Sequence, residues 1–210
     1  MITLEDARSW YPESDAVHGF DHILRVYRLA ERIARAEGAD IEIVQAAVLL
    51  HDAQEQSLGE NDERSTHHHR SAEFAYQVLL EKGWPEERIQ AVLHCIRAHR
   101  YRDDNEQPQT LEARVLFDAD KLDAIGAVGV ARAIAYAAQA GEPAYVKPSP
   151  LFIRTGEREP GEGHSAYHEY IFKLQHIRER LHTSTAQQIA VERHQYMVDY
   201  FARLADEWDS

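Results

Sequence analysis

The stretch Leu49-Leu50-His51-Asp52-Ala53 places an imidazole beside a carboxylate at the end of a strongly apolar helical segment. At 100° per residue, His51 lies in line with Ala47 and Asp52 lies in line with Val48, so both polar side chains face the apolar interior. Burying a carboxylate without a partner is very costly. Such pairs are common, so the pair indicates a cation site only if neighbouring helices present further ligands.

Two other helical segments present such side chains. His22 shares one narrow stripe with Val26 on the helix that precedes this stretch, and Asp120 falls in line with Leu116 on a later helix. Asp118 lies about 200° from Asp120 around the helix, so the two carboxylates cannot both face one ion. A histidine, a His-Asp pair and an aspartate on apolar helices therefore indicate a divalent cation held by two imidazoles and two carboxylates.

The helical period recurs along the whole chain, and alternation of period two is nearly absent, which predicts an all-α protein. Capping residues and glycine stops bound the segments. Helices are predicted over residues 3–10, 21–37, 41–52, 67–82, 85–99, 110–122, 124–140, 165–181 and 183–207. The segment 141–163 is rich in proline and glycine and is predicted to be a long loop.

The length of 210 residues predicts one compact unit. We expect a core over residues 1–130, with the C-terminal helices and the long loop of residues 131–210 packed on that core. The sequence leaves the oligomeric state open.

Composition excludes several partners. The formal net charge is −13 and no basic stripe is present, which argues against a nucleic acid duplex but not against a small anion beside a bound cation. No apolar run approaches the ~20 residues that cross a bilayer, and no secretion signal is visible, so we expect no membrane partner. Cys95 is the only cysteine and cannot form an intramolecular disulfide, which is typical of a cytoplasmic location.

A family resemblance rests on three strings. His22-Ile23-Leu24-Arg25-Val26, Leu49-Leu50-His51-Asp52-Ala53 and Asp118-Ala119-Asp120-Lys121-Leu122-Asp123 resemble the H…HD…D pattern of the HD-domain phosphohydrolases, over about residues 15–130. The string 118–129, with His18 one helical turn before His22, is similar to a bacterial branch of metal-dependent nucleotide pyrophosphohydrolases. The resemblance implies an HD-domain helical bundle with a C-terminal helical extension. It also implies the metal ligands His22, His51, Asp52 and Asp120.

The resemblance further implies a phosphohydrolase that acts on a small phosphorylated substrate, with a nucleotide as the first candidate. A divalent cation (Mn, Fe, Co, Ni, Zn or Mg) would activate the attacking water. Three side chains are expected to act in catalysis: Asp52 as a bridging or water-facing ligand, Glu55 by its likeness to a carboxylate of nucleotidase members, and Lys121 through phosphate. The expected further substrate contacts are Arg100, Lys147 and Arg154.

Three more histidines could serve a second metal or contact phosphate. His99 aligns with Ile96 and His68 aligns with Ala72, so both face inward, and His18 precedes His22 by one turn. The alternative is that these histidines only line a polar pocket.

Two other functions compete with hydrolysis. A di-iron HD oxygenase would use His68 and His99 together with the four ligands, and would consume oxygen. A non-enzymatic binding module would use the metal only to hold its helices together.

Overall fold

The computed structural model describes residues 2–11, 19–54, 67–100 and 106–210. Every regular element in these ranges is helical, which confirms the all-α class. The α-helices are α1 Leu4–Arg8, α2 Phe20–Glu37, α3 Ile41–Leu50, α4 His67–Glu81, α5 Glu86–Ala98, α6 Leu111–Asp123, α7 Gly126–Gln139, α8 Pro150–Thr155, α9 Ala166–Phe172 and α10 Ser184–Asp209, with a 3₁₀ helix at Leu174–Arg180. Within these ranges no helix has both the length and the hydropathy needed to cross a membrane.

Side-chain caps set several helix ends close to their predicted positions. The hydroxyl of Thr3 accepts a hydrogen bond from the Asp6 N–H, and the Asp6 carboxylate accepts one from the Thr3 N–H, which forms a capping box on α1. The Asp40 carboxylate accepts hydrogen bonds from the first turn of α3. Gly38 ends α2 in the left-handed conformation, with φ of 81°.

Two segments differ from the sequence prediction. The predicted loop 141–163 contains α8, whose first turn is capped by the Ser149 hydroxyl and whose end is set by Gly156 at φ 75°. Six residues are too few for a hydrophobic period to be recognised. The predicted helix 165–181 is interrupted at Lys173, which leaves the helical conformation with φ of −129°, and it continues as the 3₁₀ helix.

Contacts between residues divide the chain into two compact units. The first unit comprises residues 1–120 and 182–186, and the second comprises residues 121–181 and 187–210. In the first unit α3 is buried at seven of its ten positions and packs against α2 and α5, while α4 packs against α5. A helix that is buried over most of its surface belongs in a core, and His51 and Asp52 follow the end of α3.

The second unit has its own core, in which Tyr170 of α9 stacks on Phe201 of α10 with ring centroids 4.3 Å apart. A guanidinium N–H of Arg193 donates a hydrogen bond to the carbonyl of Leu122 at 2.5 Å. The expected core boundary at residue 130 and the packing of the C-terminal helices on the core stay predictions.

Candidate metal centre

Four polar side chains meet inside the first unit. His22 is the third residue of α2, His51 and Asp52 follow α3 directly, and Asp120 lies on α6. The His22 Nε2 atom is 3.5 Å from Asp120 Oδ1 and 3.9 Å from Asp52 Oδ2, and His51 Nε2 is 3.3 Å from Asp52 Oδ2. One ligand atom from each of His22, His51 and Asp52 lies within 4.8 Å of the others, a spacing that could hold a metal ion.

Local backbone structure determines which ring nitrogen His51 presents to the cluster. Its Nδ1 atom lies 2.8 Å from the carbonyl oxygen of Val48, one turn earlier. A carbonyl oxygen can only accept, so Nδ1 carries the proton and the neutral ring presents the lone pair of Nε2 to Asp52. This Nε2 atom is buried and has no hydrogen-bond partner among the described residues.

His99, the residue that follows α5, repeats this arrangement. Its Nδ1–H donates to the carbonyl of Ile96, and its Nε2 atom lies 3.4 Å from Asp52 Oδ1. The two oxygens of Asp52 therefore face different imidazoles, with Oδ2 toward His51 and Oδ1 toward His99. His68, on the first turn of α4, is also buried, and its ring contacts that of His69 with centroids 4.1 Å apart.

The electrostatics of the cluster favour positive charge between these groups. Burial lowers the pKa of His51, but the carboxylates of Asp52 and Asp120 outweigh burial and raise this pKa to about 9. Burial lowers the pKa of His99, and the neighbouring His51 adds to that decrease although Asp52 opposes it. Without a metal, a proton on His51 partly compensates the two carboxylates.

A divalent cation fits the residues that are present. Imidazole nitrogens and carboxylate oxygens together suit the first-row divalent metals, and this donor set does not select one of them. The buried Nε2 lone pair of His51 directed at a carboxylate oxygen is unfavourable unless a proton or a cation lies between the two atoms.

The other predicted site residues have varied positions. His18 and Glu55 lie outside the described residues. Arg100 belongs to the first unit and is half-buried, just after His99. The remaining three residues belong to the second unit. Lys121 is half-buried, and Lys147 and Arg154 are exposed. The roles of all these residues stay predictions.

The environment of Asp118 was not predicted from the sequence. Its carboxylate is fully buried and accepts hydrogen bonds from the His182 N–H at 2.9 Å, the Thr183 N–H at 2.7 Å and the Thr183 hydroxyl at 2.7 Å. Burial raises the pKa of Asp118, and these donors oppose the increase. A charged residue inside a buried run signals that donors exist, but it does not identify them.

The helices and the cluster match a known family. The family model of the HD domain matches residues 19–125, just over half of the chain and the part that contains His22, His51, Asp52, His99 and Asp120. The chain belongs to the HD-domain superfamily and has the fold of its hydrolases.

Among its relatives is YpgQ of Bacillus subtilis (strain 168), an uncharacterized protein that is 31% identical over 207 residues, or 95% of this chain and 91% of YpgQ. The crystal structure of YpgQ in complex with ADP has a TM-score of 0.73 at 30% identity, and the match covers 98% of this chain and 97% of that one. An HD-superfamily hydrolase from Bacillus thuringiensis has a TM-score of 0.70 at 26% identity, over 99% and 97% of the two chains.

Proposed function

We propose that this protein is a metal-dependent phosphohydrolase that acts on a small phosphorylated substrate, with a nucleotide as the first candidate. One observation carries the proposal: both oxygens of Asp52 face imidazole nitrogens, in His51 and His99, whose rings donate their Nδ1–H groups to backbone carbonyls. Such a set of converging acceptor atoms suits a cation, and the superfamily fold supports hydrolysis.

The proposed ligands are His22 Nε2, His51 Nε2, Asp52 Oδ2 and Asp120 Oδ1. A bound divalent cation supplies Lewis acidity, which acidifies water and neutralises charge on phosphoryl oxygens. Only 11% of the Asp52 side chain and 18% of the Asp120 side chain are exposed, so the protein keeps most bulk water away from the ligand atoms. Interactions between charges are stronger where water is excluded.

The chain's own groups divide the remaining work. We assign Asp52 Oδ1, the oxygen that faces His99, to orient the attacking water by accepting one of its hydrogen bonds. Glu55 is the candidate acceptor of the proton that this water loses on attacking phosphorus, while the bond to the leaving oxygen breaks. Lys121, Arg100, Lys147 and Arg154 are candidates to contact phosphate oxygens, because Lys and Arg donate charge-assisted hydrogen bonds to them.

A nucleotide is the first substrate candidate because YpgQ, at 30% identity over nearly the whole chain, was crystallised in complex with ADP. The net charge of −13 disfavours an anionic substrate, and a bound cation with a few basic side chains would offset that repulsion.

The position of His99 supports a second candidate, in which His99, His68 and Asp52 would hold a second divalent cation. Two-metal sites serve both phosphoryl transfer and di-iron oxygen chemistry. The number of metals per chain therefore does not by itself distinguish a hydrolase from an oxygenase. Release of phosphate or pyrophosphate and uptake of oxygen must both be measured.

The test starts from metal-free protein reloaded separately with Mn²⁺, Fe²⁺, Co²⁺, Ni²⁺, Zn²⁺ and Mg²⁺. Each form is incubated with nucleoside mono-, di- and triphosphates, and phosphate, pyrophosphate and oxygen uptake are measured. We expect metal-dependent release of phosphate or pyrophosphate without oxygen uptake. Oxygen consumption by an iron form would favour the oxygenase, and a metal-loaded protein that cleaves none of these nucleotides would favour the binding module.

A further inference from the structure

The run of helix α6 just before the proposed ligand Asp120 is buried on every side. The five consecutive residues 115–119 are at most 1% exposed, and at 100° per residue five positions cover the whole circumference of a helix. The apolar stripe of α6 gives its approximate orientation, but along a run that is buried all round the contrast between an apolar and a polar face is small. A specific polar contact within this run can therefore fix the rotation of α6 about its axis more closely.

Asp118 supplies that interaction. Its three hydrogen bonds are made with the backbone and hydroxyl groups of His182 and Thr183, in the segment 182–186 of the same compact unit. The Thr183 hydroxyl also accepts a hydrogen bond from the Ala186 N–H at 3.3 Å, so its direction is itself determined. The ring of Phe117 packs edge-on against His182, with centroids 5.0 Å apart.

The same segment is bonded to α2, the helix that carries His22. Glu37, the last residue of α2, accepts hydrogen bonds from the Ser184 hydroxyl at 2.9 Å and from the Thr185 N–H at 2.7 Å. Residues 182–185 therefore bond to both helices whose ligands, His22 and Asp120, approach within 3.5 Å.

Small rotations of α6 would matter at the ligand. Because Asp118 and Asp120 are two positions apart on one rigid helix, the direction of the first side chain determines that of the second. A rotation of about 30° would move a side-chain oxygen by roughly 2 to 3 Å for a helix of this radius. Metal sites tolerate only about 0.2 Å in ligand distance.

We propose that Asp118 is a positioning residue: hydrogen-bonded to His182 and Thr183, it sets the rotation of α6 and so holds Asp120 toward His22 for metal binding. This inference rests on the proposed metal site, but not on the reaction that occurs there. A buried carboxylate with a full set of donors is a suitable device, because its role in selecting one arrangement of helices can outweigh its desolvation.

The experiment uses Co²⁺ as the probe, because its visible absorption reports the geometry of its ligands. Asp118→Asn places an amide NH₂ group against at least one of the N–H donors. Thr183→Val removes the hydroxyl, which donates to Asp118 and accepts from the Ala186 N–H. Thr183→Ser keeps that donor and is the conservative variant. Asp6→Asn is the matched control. The Asp6 carboxylate also accepts hydrogen bonds from an N–H and a hydroxyl at the start of a helix, those of Thr3, but that helix, α1, carries none of the proposed ligands.

We expect Asp118→Asn to weaken Co²⁺ binding about tenfold, within the range for groups that support a ligand. Thr183→Val should show a smaller loss of the same kind, and both variants should change the intensity or position of the Co²⁺ absorption bands. Thr183→Ser should restore the wild-type spectrum and affinity, and Asp6→Asn should lower only the unfolding temperature.

The proposal would be overturned if Asp118→Asn and Thr183→Val bound Co²⁺ with the wild-type affinity and spectrum and differed from the wild type only in a lower unfolding temperature. If Asp118→Asn does not fold, Thr183→Val, which keeps both backbone hydrogen bonds to Asp118, decides between the two outcomes. Because no step of this test measures turnover, a wild-type protein that binds Co²⁺ but hydrolyses nothing would refute the proposed function and leave this test intact.

Discussion

The Oδ2 atom of Asp52 lies 3.3 Å from the Nε2 atom of His51, and neither atom carries a hydrogen when the carboxyl is ionised and the ring is neutral. The ring cannot simply change its tautomer, because its Nδ1–H is used by the carbonyl of Val48. A proton or a metal ion must therefore lie between these two atoms, which makes protons and metal ions competitors for one place in the molecule.

The first prediction concerns pH. Burial lowers the pKa of His51, but Asp52 and Asp120 outweigh it and raise the pKa from 6.5 to about 9. The native state then holds this proton more tightly than the unfolded chain does. The resulting stabilisation of metal-free protein is complete below pH 6.5 and is lost as the pH rises through about 9.

Urea unfolding measures this effect between about pH 6 and about pH 9.5, with EDTA and with Co²⁺. Stability should fall toward high pH in EDTA, and the fall should be smaller with Co²⁺, because the metal takes the place of the proton. Asp52→Asn, which removes the largest charge that raises this pKa, should flatten the EDTA curve. A flat EDTA curve for the wild type would contradict a proton on His51.

The second prediction concerns Asp52 itself. Changes to groups that only support a ligand cost 10- to 100-fold in metal affinity, so Asp52→Asn should weaken Co²⁺ binding by at least about 100-fold and abolish metal-dependent phosphate release. Equilibrium dialysis and the nucleotide assay measure the two effects. Asp21→Asn is the matched control: it makes the same change at an exposed site next to His22 and should leave both properties within about twofold. Equal losses in the two variants would mean that general charge, and not ligation, holds the metal.

The third prediction concerns the segment that leads into α9. The Glu162 carboxylate accepts hydrogen bonds from the Ser149 N–H at 2.7 Å and the Glu159 N–H at 2.8 Å, and it contacts His168 Nε2 at 3.1 Å. Burial raises the pKa of Glu162, but these hydrogen bonds outweigh it and lower the pKa from 4.5 to about 2. The stabilisation is therefore present above pH 4.5 and is lost as the pH falls through about 2.

Hydrogen exchange measures this local effect. Glu162→Gln should speed exchange of the Ser149 and Glu159 amides by about tenfold at neutral pH, because a neutral amide is a weaker acceptor than a carboxylate. Glu157→Gln removes an exposed charge from the same segment and should leave both amides unchanged. Unchanged protection in Glu162→Gln would show that the segment is held by its apolar contacts instead.

The fourth prediction concerns Gly129 in α7. A Cβ atom at this position would lie 2.3 Å from the carbonyl oxygen of Ala124 and 2.9 Å from the Cε atom of Met197. Alanine is favoured over glycine in a helix by about 1 kcal/mol, whereas overpacking costs about 1 to 3 kcal/mol and sometimes more. The carbonyl belongs to the backbone and cannot rotate away. The cost of crowding should therefore exceed the gain in helix propensity, and the free energy of unfolding should fall by about 2 kcal/mol.

Chemical unfolding of Gly129→Ala measures directly whether the substitution raises or lowers the free energy of unfolding. Gly141→Ala is the control, because Gly141 has open space around it and a φ of 73°, so that variant pays only the left-handed strain of about 1 kcal/mol. A Gly129→Ala variant more stable than the wild type would show that α7 can move to make room.

The convergence of the four proposed ligands could be predicted because helical periodicity determines which way a side chain points. The stripes on α2 and α6 placed His22 and Asp120 inward, and the end of α3 did the same for His51 and Asp52. The stripe of α5 likewise predicted that His99 faces inward. It could not predict the contact between His99 and Oδ1 of Asp52, because that contact depends on how α5 packs on α3.

The partners of Asp118 could not be predicted from sequence. Two of its three donors are peptide N–H groups, which every residue except proline has, so no residue type marks them. Helix α8 was missed for a different reason, since its six residues are specified by the Ser149 cap and the Gly156 stop and not by any apolar repeat.

Asp118 lies 64 residues before His182 in the chain. At about 5–20 residues per second, a ribosome needs roughly 3 to 13 s to synthesise the segment that supplies the donors after it has made the carboxylate. Throughout that interval the nascent chain already holds the whole HD motif, yet it has an ionised group that cannot be buried at low cost. We therefore expect the motif to remain a loose intermediate until translation passes residue 186, and fragments that stop at residue 181 to be far more sensitive to proteases than fragments that stop just beyond 186.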